Sequence, residues 1–371
     1  GVSTVMGFGY KLPVVWAAFA NASMAHSLDF GDTQLNAVIH SNASTFPAAL
    51  AVAESLGNVD GKTFLTSLVV GSEVACRVSL GALEDLDKYG FYMPPVYTSF
   101  GATAAVCKLL KLNAEQVVDA LSFNLCQTTC SAELLNNSRT VVRSIREAFA
   151  AKNAVISGLM AEKGLKGFEE PIEGKGGFYH AYARDNCDIK RPLDKLGEYF
   201  EAGTLYFKLW PSCAGTHPAI KSLIKLVSEN GIHAENITRV HVVTSQRNRI
   251  LMEPEDIRKA PETSIIAKFS IPYTGAVAIL RGDVIIDDFT AEALKDSQVR
   301  DLAAKFTYEV NENWGKAEGM NTDVTIYAGG ESYHFLYTEE TDADSAATFD
   351  ELAKKLHSCA AHSVTQKSGA D

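Results

Sequence analysis

The sequence predicts a mostly α protein: a large all-helical domain followed by a smaller α+β domain. Three observations carry this. Up to about residue 185, apolar residues recur at helical spacing on segments rich in Ala, Gly and Ser. After about residue 204 the pattern changes to alternating, β-branched runs. Near the C-terminus two such runs flank a Gly-Gly pair, which reads as a hairpin turn.

The elements follow in chain order. Leu12 to Ala25 spaces its apolar residues as a core helix. Asp60 can cap a helix through FLTSLVVGSEVACRV, and Phe100 to Leu110 reads as another after the rigid loop Gly90 to Pro95. Asn113 opens the next with Gln116 as its capping-box partner, and Val141 to Lys163 ends at Gly164. Beyond the change of texture, Ile237 to Thr244 alternates like a strand and Val284 to Ile286 is a short β-branched run. Val324 to Tyr337 forms the hairpin. Helical stretches lie at Pro218 to Glu229, Thr290 to Phe306 and Ala346 to Leu356. The expected domains are 1–203, with 341–371 returning to it, and 204–340; the tail SVTQKSGAD is expected to fray.

Composition narrows the function. The chain has 371 residues, 46% hydrophobic and 21% charged, enough to bury a sizeable core. With 34 Lys+Arg against 45 Asp+Glu, the net charge of −11 argues against nucleic acid and anionic membranes as partners. No run of about 18 apolar residues is present, so a spanning helix is not expected. Leu12 to Ala25 resembles a signal peptide superficially, but Pro13 interrupts it and its charged flank is a single Lys. Seven scattered cysteines without a CxxC pair fit a reducing, cytoplasmic setting better than a disulfide framework or a zinc site. There is no phosphate loop, GxSxG, HExxH or metal-ligand spacing.

Five clusters can carry chemistry. The cluster His26, Asp29, Asp32, Thr33 and His40 can bring carboxylates, a hydroxyl and an imidazole together just after a helix; capping of a helix end is the plain alternative. Gly90 to Pro95 is a rigid aromatic loop, or only a turn. Arg139, Arg143 and Arg146 can aim two guanidiniums at a carboxylate, although charge runs are usually solvated faces. Phe207 to Pro218 combines Lys208, Trp210, Cys213, Thr216 and His217 in a composition that packing alone seldom needs. Ala267 to Tyr273 places a phenol at a helix start, where it can move a proton or bind an oxyanion, or simply sit buried with a satisfied hydroxyl.

Taken together the clusters resemble the MmgE/PrpD family, which includes 2-methylcitrate dehydratase, cis-aconitate decarboxylase and iminodisuccinate epimerase. The matching stretches include AHSLDFGDT, HSNASTFPAALAVAE, FGATAAVCKLLKLNAEQVVDAL, YFKLWPSCAGTHPAI and KFSIPYTGAVAIL, in family order across almost the whole chain. The resemblance implies a helical domain with a smaller α+β lid, a site between them, homodimers, and a small polycarboxylate substrate handled without metal or organic cofactor. It gives Asp29, Thr33 and His40 the first site motif. Lys208 takes the lysine position, Tyr273 the site tyrosine, and His217 the Thr-His-Pro histidine. Because the chain begins close to the first motif, the family's N-terminal helices are expected to be absent.

Departures from the family pattern matter as much as the matches. Met93 stands where many members have a loop His, and Cys213 where the decarboxylase has a His. Arg143 and Arg146 replace the Lys and His of Lys-x-Leu-His, and Gly31-Asp32 replaces Asp-Asp. Two arginines add bidentate carboxylate recognition but remove a group that titrates near neutral pH. The expected function is a lyase, dehydratase or decarboxylase, with catalytic His40, Tyr273, Lys208, Asp29 and Thr33. Substrate binding falls to Arg143, Arg146, Lys208 and His217. The alternatives are an epimerase of a dicarboxylate, or a degenerate dimeric polycarboxylate-binding protein.

Overall fold

Alanine builds the first half of the protein. A computed structural model describes residues 1–35, 39–84, 86–135, 141–315, 317–338, 340–341 and 347–362. The chain divides into two units, one from Gly1 to Phe207 with a return from Leu356, the other from Lys208 to Lys355.

The first unit opens with a small hairpin, β1 (Ser3–Val5) and β2 (Tyr10–Leu12), and then α1 (Val14–Ser27). Strand β3 (Asp32–Thr33) leads to α2 (Ser41–Leu56), α3 (Gly61–Leu80), α4 (Pro94–Leu109) and α5 (Ala114–Leu125). The long α6 (Val142–Glu162) and short α7 (Phe178–Ala183) follow, and β4 (Tyr206–Phe207) pairs antiparallel with β3. Helices α1, α2, α4 and α6 meet on a core in which Ala18, Ala22, Ala49, Ala102, Ala105 and Ala151 are fully buried. Methyl-sized side chains let helix axes approach closely, so dispersion contacts between backbones replace large interdigitated side chains.

The capping signals work as the sequence implies. The Asp60 carboxylate accepts from the Thr63 N–H (2.9 Å), and Asn113 and Gln116 form a reciprocal box. Two points differ. Helix α4 starts at Pro94, not near Phe100, because Pro94 and Pro95 occupy first-turn positions whose N–H groups have no intrahelical acceptor. Helix α2, not anticipated from periodicity, carries Pro47 inside it. By length and composition α3 is apolar enough to cross a membrane, but half of that window is buried and the Glu73–Arg77 ion pair (2.5 Å) lies inside the fold.

The second unit runs through α8 (His217–Asn230), β5 (Ile237–Ser245), α9 (Glu255–Lys259), α10 (Ser264–Lys268) and α11 (Ile271–Arg281). It continues with α12 (Ser297–Ala304), β6 (Phe306–Asn311), β7 (Thr322–Ala328) and β8 (Glu331–Tyr337). The final α13 (Phe349–Ala360) crosses the division at Lys355. The sheet order is β6-β5-β7-β8, with β5 and β6 parallel and the other pairs antiparallel. Val240, Val242, Val324 and Ile326 alternate onto the buried face, where α8 lies against β7 and β8. Gly329 and Gly330 both have positive φ (61° and 89°), which only the hairpin's turn requires.

The β-branched run at Val284 to Ile286 forms no strand. The Asp288 carboxylate accepts the Ile285 N–H (2.7 Å) and bends the chain into a 3₁₀ turn, Ile286–Phe289. The helix expected up to Phe306 stops at Ala304, and Phe306, Tyr308 and Val310 continue as β6. The tail from 363 onward lies outside the described residues.

Candidate active site

In the first unit the end of α1 creates the site. After Ser27 the chain turns at Asp29, whose left-handed φ of 52° is one that Asp tolerates. Its N–H bonds to the His26 carbonyl (2.9 Å). His26, Asp29 and His40 are all buried, and their side-chain donor and acceptor atoms lie within 4.8 Å of one another. The two imidazoles stand 4.8 Å apart, centroid to centroid.

The neighbouring strand then sets the chemistry of His40. Its Nδ1 is 3.0 Å from the carbonyl oxygen of Asp32. A carbonyl can only accept, so Nδ1 carries the proton and Nε2 of the neutral ring is the basic nitrogen. The Asp32 carboxylate meanwhile accepts from Asn42 at N (3.3 Å) and Nδ2 (3.1 Å), which fixes the start of α2 relative to β3. Thr33 is fully buried, and its Oγ1 makes no hydrogen bond among the described residues.

Helix α6 supplies the cations. Arg146 is 4% exposed, and its Nη1 donates to the Arg143 carbonyl (2.6 Å). Its guanidinium carbon lies 4.9 Å from the centroid of the Tyr92 ring. Burial alone would pull the guanidinium down, but the carboxyl groups of Glu147 and Asp29 act against that. The structure therefore brings Asp29, His40 and Arg146 into one neighbourhood, with Arg143 also acting electrostatically on Tyr92. Arg139 lies outside the described residues.

One member of this neighbourhood was not singled out from the sequence, Glu147, while Tyr92 and His26 lay in the named clusters without a role of their own. Glu147 is fully buried, and its Oε2 accepts from Ser44 Oγ (2.7 Å) and Thr98 Oγ1 (2.8 Å). Burial pushes its carboxyl up, while Arg146 and the two hydroxyls act against that. One signal was available: Glu147, Ala151, Ala154 and Gly158 share the i, i+4, i+7, i+11 stripe that faces the core. Met93, by contrast, is a core residue against Phe100 and Val96.

Two histidines and a carboxylate are also a donor set for a transition metal. Donors sharing one ion at about 2.1 Å sit about 3–3.5 Å apart, so these side chains would have to draw together from the 4.8 Å span. The sequence names these three residues in one cluster without metal-ligand spacing, and the turn at Asp29 brings their donor atoms together. A cavity of about 650 Å³ opens beside Asp32 between Phe46, Leu68 and Phe207, but its lining is mostly apolar and omits Asp29, His40 and Arg146.

In the second unit, Lys208 is 1% exposed and its carbonyl accepts from Lys355 Nζ (2.7 Å). The loop after it is stapled by Lys268, whose Nζ donates to the Pro211 carbonyl (2.8 Å) and whose carbonyl accepts from Cys213 N (2.9 Å). His217 opens α8 and stands 5.1 Å from the Trp210 ring, which Asp283 holds through Nε1 (2.9 Å).

Tyr273 is placed as a core residue. It is 1% exposed, its phenol donates to the Asp288 carbonyl (2.5 Å), and burial pushes it up to about 12. Proton transfer through this phenol would require that bond to break. We expect Tyr273→Phe to cost about 1–2 kcal/mol of stability, read by denaturant unfolding, by leaving the Asp288 carbonyl without its donor. The expected change in kcat is under threefold; a fall of a hundredfold would give the hydroxyl a chemical role.

His40 is thus a buried imidazole with Nδ1 on a backbone carbonyl, close to the Asp29 carboxylate, which in turn acts on the Arg146 guanidinium. Comparison with known proteins identifies the family. Residues 1–189 match the MmgE/PrpD N-terminal domain and residues 210–370 the MmgE/PrpD C-terminal domain; the chain belongs to the MmgE/PrpD family. It is 26% identical to cis-aconitate decarboxylase of Aspergillus terreus over 334 residues, covering 85% of this chain and 67% of that protein. It is 27% identical to the Mus musculus enzyme of the same name (83% and 63%) and 27% identical to that of Homo sapiens (83% and 64%). The chain thus spans about two thirds of the length of these relatives.

Proposed function

We propose that the protein is a lyase, a dehydratase or decarboxylase, that acts on a small di- or tricarboxylate by general acid–base chemistry without a cofactor. The observation that carries the reading is His40: a buried imidazole with Nδ1 tied to a backbone carbonyl and a basic Nε2, among Asp29 and His26, with Arg146 in electrostatic reach. Relatives named as decarboxylases put a lyase ahead of the epimerase alternative.

The roles follow from the chemistry. In a dehydration His40 Nε2 takes a C–H proton, the electron pair becomes a C=C bond, and the hydroxyl on the neighbouring carbon leaves as water with the proton that His40 has taken. In a decarboxylation the C–C bond to a carboxylate breaks, CO₂ leaves, and His40, having first taken a proton from solvent at Nε2, delivers it to the carbon that keeps the pair. Both routes build negative charge that fixed cations stabilise. Arg143 and Arg146 hold a substrate carboxylate, as do Lys208 and His217 in the role the family motif gives them. Asp29 and Thr33 position the His40 loop.

The direct test offers 2-methylcitrate, cis-aconitate and iminodisuccinate to the purified chain and follows loss of water, CO₂ release or epimerisation. Turnover of none of them or their close analogues, with polycarboxylates still bound, would replace the enzyme by the binding protein. Lys208→Met is expected to raise KM about tenfold, and to lower kcat as well where the contact tightens in the transition state. An unchanged KM removes Lys208 from the substrate. The homodimer and the cytoplasmic location belong to the same proposal; light scattering at twice the chain mass and fractionation of cells test them.

A further inference from the structure

The ion pair between Arg146 and Glu147 is open. Glu147 Oε2 is held by Ser44 and Thr98, while Oε1 faces Arg146 Nε at 3.5 Å, beyond hydrogen-bond range. Neither Oε1 nor Nε has a hydrogen-bond partner among the described residues, although both are buried. On the other side, the Arg143 carbonyl and the Tyr92 ring hold the guanidinium where it stands. Two hydroxyls restrain the acid, a carbonyl and a ring restrain the base, and neither partner completes the other.

This arrangement makes sense for a binding group that must survive empty. A neutral imidazole at position 146 would be tolerated in a vacant site. An arginine is always charged, and a buried charge without a counter-ion strongly destabilises the fold. An acid that closed fully on the guanidinium would satisfy it and leave little for a ligand.

We propose that Glu147 is the resident counter-ion of Arg146: it compensates the guanidinium when the site is empty and shares it with a substrate carboxylate when the site is filled. The inference rests on the polycarboxylate reading above. Its consequence is a signed trade: Glu147 stabilises the empty protein and weakens ligand binding, because two anions compete for one cation.

The test uses the full chain and tricarballylate, a saturated tricarboxylate with neither a hydroxyl to eliminate nor a double bond. Glu147→Gln keeps an oxygen for Ser44 and Thr98 but removes the charge. Isothermal titration should show binding about tenfold tighter than in the unmodified protein. The ligand-free melting temperature should fall by about 5 °C or more, and tricarballylate should recover it. A purely structural Glu147 would lower the melting temperature with binding unchanged or weaker, and that result overturns the inference. Recovery of folded Glu147→Gln only in the presence of tricarballylate supports it, since the ligand then replaces the missing anion. The double variant Arg146→Met/Glu147→Gln should lose at least about tenfold in binding; unmodified affinity there would show that Arg146 does not meet the anion. If the unmodified protein binds no polycarboxylate, the functional reading falls and takes this inference with it. Binding to the unmodified protein that Glu147→Gln fails to tighten sinks the inference alone.

Discussion

His40→Ala is expected to lower kcat by about 10²–10⁴-fold on the substrate found in the screen, the usual contribution of a positioned general acid or base. The fold should survive. His40 precedes α2 without donating or accepting a side-chain cap, so truncation removes no helix-end bond. It does release the Asp32 carbonyl, which costs about 1 kcal/mol if water reaches it. Far-ultraviolet circular dichroism and a melting curve separate loss of chemistry from loss of structure. Added imidazole should restore part of the activity by occupying the vacated volume. Full activity in His40→Ala would mean that another group carries the proton, with family membership unaffected.

Gly101→Ala should destabilise the first unit by about 2–3 kcal/mol. In an isolated helix the same change stabilises by about 1 kcal/mol. The sign reverses here because α3 and α4 cross at glycine. A Cβ on Gly101 would come 2.2 Å from the Gly71 carbonyl oxygen and 2.7 Å from the Ala75 Cβ. The first obstacle is backbone, which cannot rotate away, so the helices must separate and the alanine core beside them must loosen. Denaturant unfolding measures the loss. An unchanged or raised midpoint would show that the two helices are not held at this spacing.

How much of this was legible depended on whether the signal was local. The caps at Asp60 and Asn113 involve partners three residues away, and both could be read directly. The Gly-Gly hairpin and the alternation of β5 and β7 are equally local, since the pleat repeats every two residues. Pro94 misled, because a proline stops a helix from its interior yet begins one comfortably, and the sequence does not say which it will do. The β-branched run at Val284 lost to a turn bond from Asp288, four residues ahead of Val284, which outweighed its strand propensity.

By itself the sequence determined an alanine-rich helical half, an α+β half, the change of texture between them and the motifs that place the chain in its family. These rest on periodicity and on interactions within a few residues. Only the tertiary structure decided which charged and polar groups lose their water. From the sequence, Arg146 belongs to a charge run that is usually a solvated face, and Tyr273 is either a proton-moving phenol or a buried one with a satisfied hydroxyl. Folding buries Arg146 and Glu147 against Ser44, Thr98 and Tyr92, and commits the phenol to a carbonyl. The turn at Asp29 gathers His26 and His40, fourteen residues apart, around one carboxylate. Desolvation depends on neighbours brought in from other helices, so no local pattern can announce it.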